Sequence, residues 1–179
     1  MRDRLGCIPV AITWPWGQED QFKGIIDLIR MRAALFDEET QGTNIEWVEI
    51  PEELRDKARA QRDVMIEACA DVDDAIMEKF LEGGTAAVDN ELIYAALRKG
   101  TLAFKLVPVL CGSAFKNKGI QLLLDAVCNL LPSPFDIPPV QGVDVDDPNK
   151  VRTRKASDDE PFAALAFKIA NDPYVGNLT

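Results

Sequence analysis

The chain has 179 residues, 47% of them apolar and 28% charged, enough to enclose a hydrophobic core in one domain or a little more. Its formal charge of −10 argues against direct DNA or RNA binding, because gripping phosphates needs clustered Lys and Arg. An acidic surface of this kind suits water or a basic protein partner instead.

In chain order, Met1-Arg2-Asp3-Arg4 leads into a segment broken by Pro9, Pro15 and Gly17, which has no secretory-signal pattern. No apolar run approaches the roughly 20 residues of a membrane-spanning helix, so a cytoplasmic location is expected. Cys7 to Trp14 is rich in Ile, Val, Thr and Trp and reads as a strand. Phe22 to Ile29 and Met31 to Phe36 continue as strands or as one long bent strand, with Gly17 marking a turn and Gly24 a bulge. Asn44 to Ile50 alternates as a half-exposed strand. Together these predict a small antiparallel or mixed sheet. Trp14-Pro15-Trp16 receives no role.

Pro51 opens a helix at its first turn, with Glu52 and Glu53 placed favourably against the dipole. Leu54, Ala58, Met65, Ala68, Cys69 and Val72 share one face of it. A second helix covers Asp73 to Leu81 and stops at Gly83-Gly84; a third starts at the cap Asp89 and ends near Gly100. Lys105 to Cys111 reads as an apolar strand buried on both faces of a parallel sheet. The helix from Ile120 to Leu131 is expected to carry Ile120, Leu123, Leu124, Val127, Leu130 and Leu131 inward. Pro132, Pro134, Pro138, Pro139 and Pro148, with Asp144, Asp146 and Asp147, predict an extended linker. A new strand is expected over Phe162 to Ala170, and an apolar edge that stops so soon after reads as part of a longer protein.

Little classical catalytic chemistry is available. With no histidine, Ser-His-Asp and Cys-His arrangements are excluded within the chain. Cys7, Cys69, Cys111 and Cys128 form no CxxC pair, so no metal site is expected and buried free thiols are. Glu52-Glu53, Asp73-Asp74, Asp146-Asp147 and Asp158-Asp159-Glu160 are sequence neighbours, which do not form an acid–base pair unaided. No catalytic residue is assigned. Asn177-Leu178-Thr179 matches the glycosylation sequon without significance.

The most informative stretch is Cys111-Gly112-Ser113-Ala114-Phe115-Lys116-Asn117-Lys118-Gly119. It joins an apolar strand to an amphipathic helix, an arrangement that presents backbone amides to ligands in α/β nucleotide-binding folds. Taken alone, Ser113-Ala114-Phe115 is more often a plain helix-start turn. Gly112 to Gly119 is not a P-loop, because no Gly-Lys-Ser/Thr follows. Asn117-Lys118 fails the Asn-Lys-x-Asp pattern at Ile120, and no Asp-x-x-Gly motif stands in a suitable strand-to-loop context. Phosphoryl transfer needs a phosphate cradle, Mg²⁺ ligands and a positioned water. The chain supplies none of the motifs for them.

Read with Ser157-Asp158-Asp159-Glu160-Pro161-Phe162-Ala163-Ala164-Leu165-Ala166-Phe167-Lys168 and Asp172-Pro173-Tyr174-Val175-Gly176-Asn177-Leu178-Thr179, the turn resembles the bacterial elongation factor G family of translational GTPases. Phe22-Lys23-Gly24-Ile25-Ile26-Asp27-Leu28 is similar to that family's Phe-x-Gly-Val-Val-Asp-Leu stretch. The resemblance spans essentially the whole chain and is loose from Phe36 to Gly100. It implies an α/β fold in five parts: the end of a nucleotide-domain helix (1–5), an α+β insertion subdomain with a small mixed sheet (6–104), a partial P-loop-NTPase strand/helix unit (105–131), a linker (132–160) and the first strand of a β-barrel domain (161–179).

The resemblance further implies that Ser113 and Ala114 sit at the edge of a guanine base, with Phe115 and Lys116 supporting them. GTP or GDP would be the ligand of an intact factor; no nucleotide is expected to bind this chain alone, and no GTPase activity is expected of it. The implied partners are the ribosome, the ribosomal stalk protein and the rest of the elongation factor, with no membrane and no direct DNA contact. The acidic and apolar stretches Asp71 to Glu82 and Asp89 to Leu97 would receive the stalk protein, or be plain solvated helix faces. Two other readings stay open: a protein-interaction module without a nucleotide role, and a stand-alone α/β enzyme using carboxylates.

Overall fold

The computed structural model describes residues 1–37, 40 and 42–178, the last by its backbone alone. Thr179, which ends both the sequon and the family-like tail, lies outside the described residues. The chain divides into two units, Met1–Leu131 and Pro132–Thr179.

The first unit mixes helices with two small sheets among the described residues, as an α/β reading requires. Helix α1 (Arg2–Leu5) ends at Gly6, whose left-handed φ of 62° suits glycine. Strand β1 (Pro9–Ala11) then runs parallel to β6 (Val107–Val109), pairing Pro9 with Val107 and Ala11 with Val109. Between these partners the chain builds a four-stranded antiparallel sheet: β2 (Thr13–Trp16), β3 (Gly24–Asp27), β4 (Arg32–Phe36) and β5 (Ile45–Val48). Three helices follow: α2 (Glu52–Ala70), α3 (Asp74–Gly83) and α4 (Asn90–Leu102). After β6 comes α5 (Ile120–Leu130).

The single strand expected over Cys7–Trp14 is therefore two strands in two sheets. Ile12 is the pivot: its N–H donates to the Val109 carbonyl at 3.0 Å and its carbonyl accepts from Leu28 N–H at 3.1 Å. Gly24 is not a bulge, since the pairing Trp16–Gly24–Leu35 runs unbroken across the sheet. It is glycine because a Cβ there would stand 2.3 Å from the Ala34 carbonyl oxygen. Pro15 is tolerated because β2 is an edge strand.

Alternation in β3 and β4 buries both faces of the sheet. Ile26 and Ala33 face a core completed by Ala58, Met65, Ile66 and Cys69 of α2 and by Ile93 and Leu97 of α4. Ile25, Ala34 and Phe36 face Leu122 of α5. Each large side chain so enclosed contributes about 1.5–3 kcal/mol. Asp73 and Asp89 cap α3 and α4, accepting from Ala75 N–H at 3.0 Å and Leu92 N–H at 2.8 Å.

Three expectations for this unit are corrected. Strand β6 is half-buried rather than enclosed on both faces, because β1 is its only strand neighbour among the described residues. Of the residues expected inward, Leu123, Leu124, Val127 and Leu131 are 43–58% exposed and Leu130 is buried, while Leu122, which is not among them, is buried too. The amphipathic pattern is present, but no described element of this unit covers its outer face. All four cysteines are free thiols, yet only Cys69 is buried, and Cys128 is exposed.

The second unit holds two hairpins. Strands β7 (Val140–Val143) and β8 (Val151–Arg154) pair antiparallel inside the stretch expected to be an extended linker. Asp144 ties their turn, accepting from Asp146 N–H and from the Arg152 guanidinium. The strand expected over Phe162–Ala170 does not form. Beyond Glu160, β9 (Ala170–Asp172) and β10 (Gly176–Leu178) are the strands that pair among the described residues, and Phe162, Leu165 and Phe167 are more than four-fifths exposed. An apolar run becomes a strand only where a partner supplies the ladder.

Candidate functional site

The turn after β6 is a small hairpin rather than an open loop. Ser113 and Lys118 form a bridge, Ser113 N–H donating to the Lys118 carbonyl at 2.9 Å and Lys118 N–H to the Ser113 carbonyl at 3.0 Å. Asn117 closes it with a left-handed φ of 50° and an N–H bond to the Ala114 carbonyl at 3.1 Å. Gly112 must lack a side chain, because a Cβ would lie 2.7 Å from the Lys118 carbonyl oxygen. Gly119 then starts α5 at φ 90°.

This geometry distributes the sequence-predicted residues unequally. Ser113 is half-buried and its amide is committed to the bridge. The amides of Ala114 and Phe115 carry no hydrogen bond among the described residues, so they are the donors this turn offers to a ligand. Phe115 is 99% exposed. Lys116 is exposed beside it. A planar acceptor such as a base carbonyl could meet the two amides at the hairpin tip.

The antiparallel sheet clamps this hairpin from below. Cys111 N–H donates to Thr13 Oγ1 at 2.9 Å, joining residues 98 apart in the chain. Thr13 Oγ1 also lies 3.5 Å from Cys111 Sγ, and burial raises the Cys111 thiol pKa. Gln121 Nε2 donates to the Gly42 carbonyl at 2.9 Å. Gly42 in turn approaches the turn so closely that a Cβ on it would stand 2.6 Å from the Asn117 carbonyl oxygen. Sequence reasoning does not single out Thr13, Gly42 or Gln121, and only the glycine gives a local signal.

A second node fixes the β3–β4 turn to the helices. Asp27 Oδ1 accepts from Ile29 N–H at 2.8 Å and Arg30 N–H at 2.9 Å. Arg62 of α2 donates to the carbonyls of Leu28, at 2.7 Å, and of Ile29. Its other terminal nitrogen reaches the Val88 carbonyl at 3.4 Å and Asn90 Oδ1 at 3.3 Å. Burial lowers its pKa, opposed by the charges of Asp27 and Asp63.

No known family profile matches the chain. The fold is similar to that of ttk003000868 from Thermus thermophilus, known from its crystal structure. That match has a TM-score of 0.69 at 25% sequence identity, covering 98% of this chain and 23% of the other. The chain thus spans about a quarter of the length of that protein.

The expected docking face on α3 and α4 is acidic. Asp71, Asp74, Glu78 and Glu82 are exposed, with Leu81 75% exposed among them, whereas Ile76 and Ile93 turn into the core. Lys99 neutralises part of the cluster through Asp73 Oδ2 at 2.9 Å. Among the described residues no group of His, Cys, Asp and Glu could hold a metal ion, and no helix is long and apolar enough to cross a membrane.

Proposed function

We propose that this chain is the insertion-bearing part of a cytoplasmic translational GTPase of the elongation factor G type, holding the guanine side of a nucleotide site whose phosphate side lies elsewhere. The observation that carries this reading is the parallel pair β1–β6, which has no third strand beside it among the described residues. Parallel strands belong to sheets covered on both faces and need a long crossover; here the crossover is the whole antiparallel sheet and three helices. The bare outer face of α5 beside that pair is what a strand-and-helix neighbour would bury.

In this reading the amides of Ala114 and Phe115 approach the guanine carbonyl, and the clamp from Thr13 and Gln121 holds them still. Preorganised backbone donors of this kind distinguish guanine, which presents an acceptor at that edge, from adenine, which presents a donor. GTP or GDP is the ligand of the complete factor; this chain alone binds neither usefully, because phosphate and Mg²⁺ contacts are missing from its sequence. The acidic face of α3 fits a basic helix of the ribosomal stalk protein, and the ribosome is the larger partner. The same acidic face favours one alternative, an interaction module without a nucleotide role.

Co-expression tests the reading. An elongation factor G segment carrying the P-loop, Asp-x-x-Gly and Asn-Lys-x-Asp motifs should co-purify with the chain and bind GDP. The double change Leu124→Asp and Val127→Asp should abolish co-purification while the chain itself stays folded. Two separately folded polypeptides that ignore each other would overturn the proposal.

A further inference from the structure

Against a net charge of −10, one open groove of about 830 Å³ gathers four arginines: Arg32 of β4 and Arg55, Arg59 and Arg62 of α2. The last three stand at i, i+4 and i+7, so they line one face of the helix. Arg62 is engaged by the backbone carbonyls of Leu28 and Val88. Arg32 is anchored through one nitrogen to the Trp47 carbonyl at 3.1 Å. Arg59 has a single distant ion pair with Asp56 at 3.9 Å, both side chains being mostly exposed, which is weak. Arg55 is half-buried and its side chain has no hydrogen bond or ion pair among the described residues.

We propose that this groove is a docking site for an acidic, partly apolar peptide segment of a partner protein. Arginine forks bind carboxylates in a bidentate manner, and Met31, Ile50 and Ala86 add apolar surface between them. Glu49 and Asp63 also line the groove. They would repel a continuous phosphodiester chain, while a peptide can place neutral or basic side chains against them. A peptide is therefore favoured over nucleic acid. The site is separate from the Ser113–Lys118 turn and does not depend on its nucleotide role.

The test uses the whole chain and a short fluorescein-labelled peptide built of Glu, Leu and Gly, read by fluorescence anisotropy. Saturable binding should weaken at least about tenfold in Arg55→Gln/Arg59→Gln and strengthen in Glu49→Lys. Arg152→Gln/Arg154→Gln, in the other unit, should leave it unchanged. Circular dichroism and thermal unfolding confirm that each variant is folded; Arg62 is kept because it holds the turn. No binding, binding indifferent to Arg55 and Arg59, or tighter arginine-dependent binding of oligouridylate would each overturn the proposal.

Discussion

Gly119 sits against Ile25: a Cβ on Gly119 would stand 2.4 Å from Ile25 Cδ1. This contact locks the start of α5 onto the buried β3 strand, and Gly119 already carries a left-handed φ of 90°. Gly119→Ala should therefore cost about 2–5 kcal/mol, combining backbone strain with overpacking. Urea denaturation measures it. Gly6→Ala, at φ 62° with nothing within 4 Å, should cost only about 1–2 kcal/mol.

Arg62 joins α2 to the β3–β4 turn. Arg62→Leu leaves the Leu28 and Ile29 carbonyls without their side-chain donor and should destabilise the fold by about 2–4 kcal/mol. Arg62→Lys should recover part of the loss, having the charge but not the planar fork. Equal loss in both variants would mean that shape, not donation, matters.

The Lys99–Asp73 pair sets a pH signature. The Lys99 hydrogen bond is the largest influence holding the Asp73 pKa below its ordinary 3.8, so its stabilisation is present above that value and disappears as pH falls through the lower folded pKa. Lys99 is raised above 10.5 by the same bond, so its share is complete below 10.5 and is lost at still higher pH. The stability gap between the native chain and Lys99→Met should be steady near neutrality and close at both extremes. Unfolding curves across pH test this; a gap independent of pH would contradict it.

Thiol chemistry should rank the cysteines. Cys128 is exposed and should react first with iodoacetamide, followed by the half-buried Cys7 and Cys111. Burial pushes the Cys69 thiol up to about 12, and its thiolate should be trapped only on unfolding. Mass spectrometry of timed samples reads the order.

Helix starts and stops are largely legible because their causes are local. Asp73, Asp89, Pro51 and the Gly83-Gly84 pair stand where caps and breaks are needed. What covers a face is not local. Leu123, Leu124 and Val127 have the periodicity of a core stripe, yet they are exposed, since periodicity names an apolar face without naming its cover. The β7–β8 hairpin is hidden by its Pro and Asp content, and Phe162 to Ile169 shows that strand composition without a pairing partner is insufficient. At the site, the turn is readable from its small residues. Its clamp is not, because Thr13 meets Cys111 across 98 positions and Gln121 meets Gly42 across 79.

The proposed division of the nucleotide site, its base side in this chain and its phosphate side elsewhere, is decided by calorimetric titration of the purified chain with GDP. No measurable heat of binding is predicted, because the amides at Ala114 and Phe115 would be the whole of the contact. Micromolar GDP affinity would contradict the proposal, showing a phosphate site within these 179 residues.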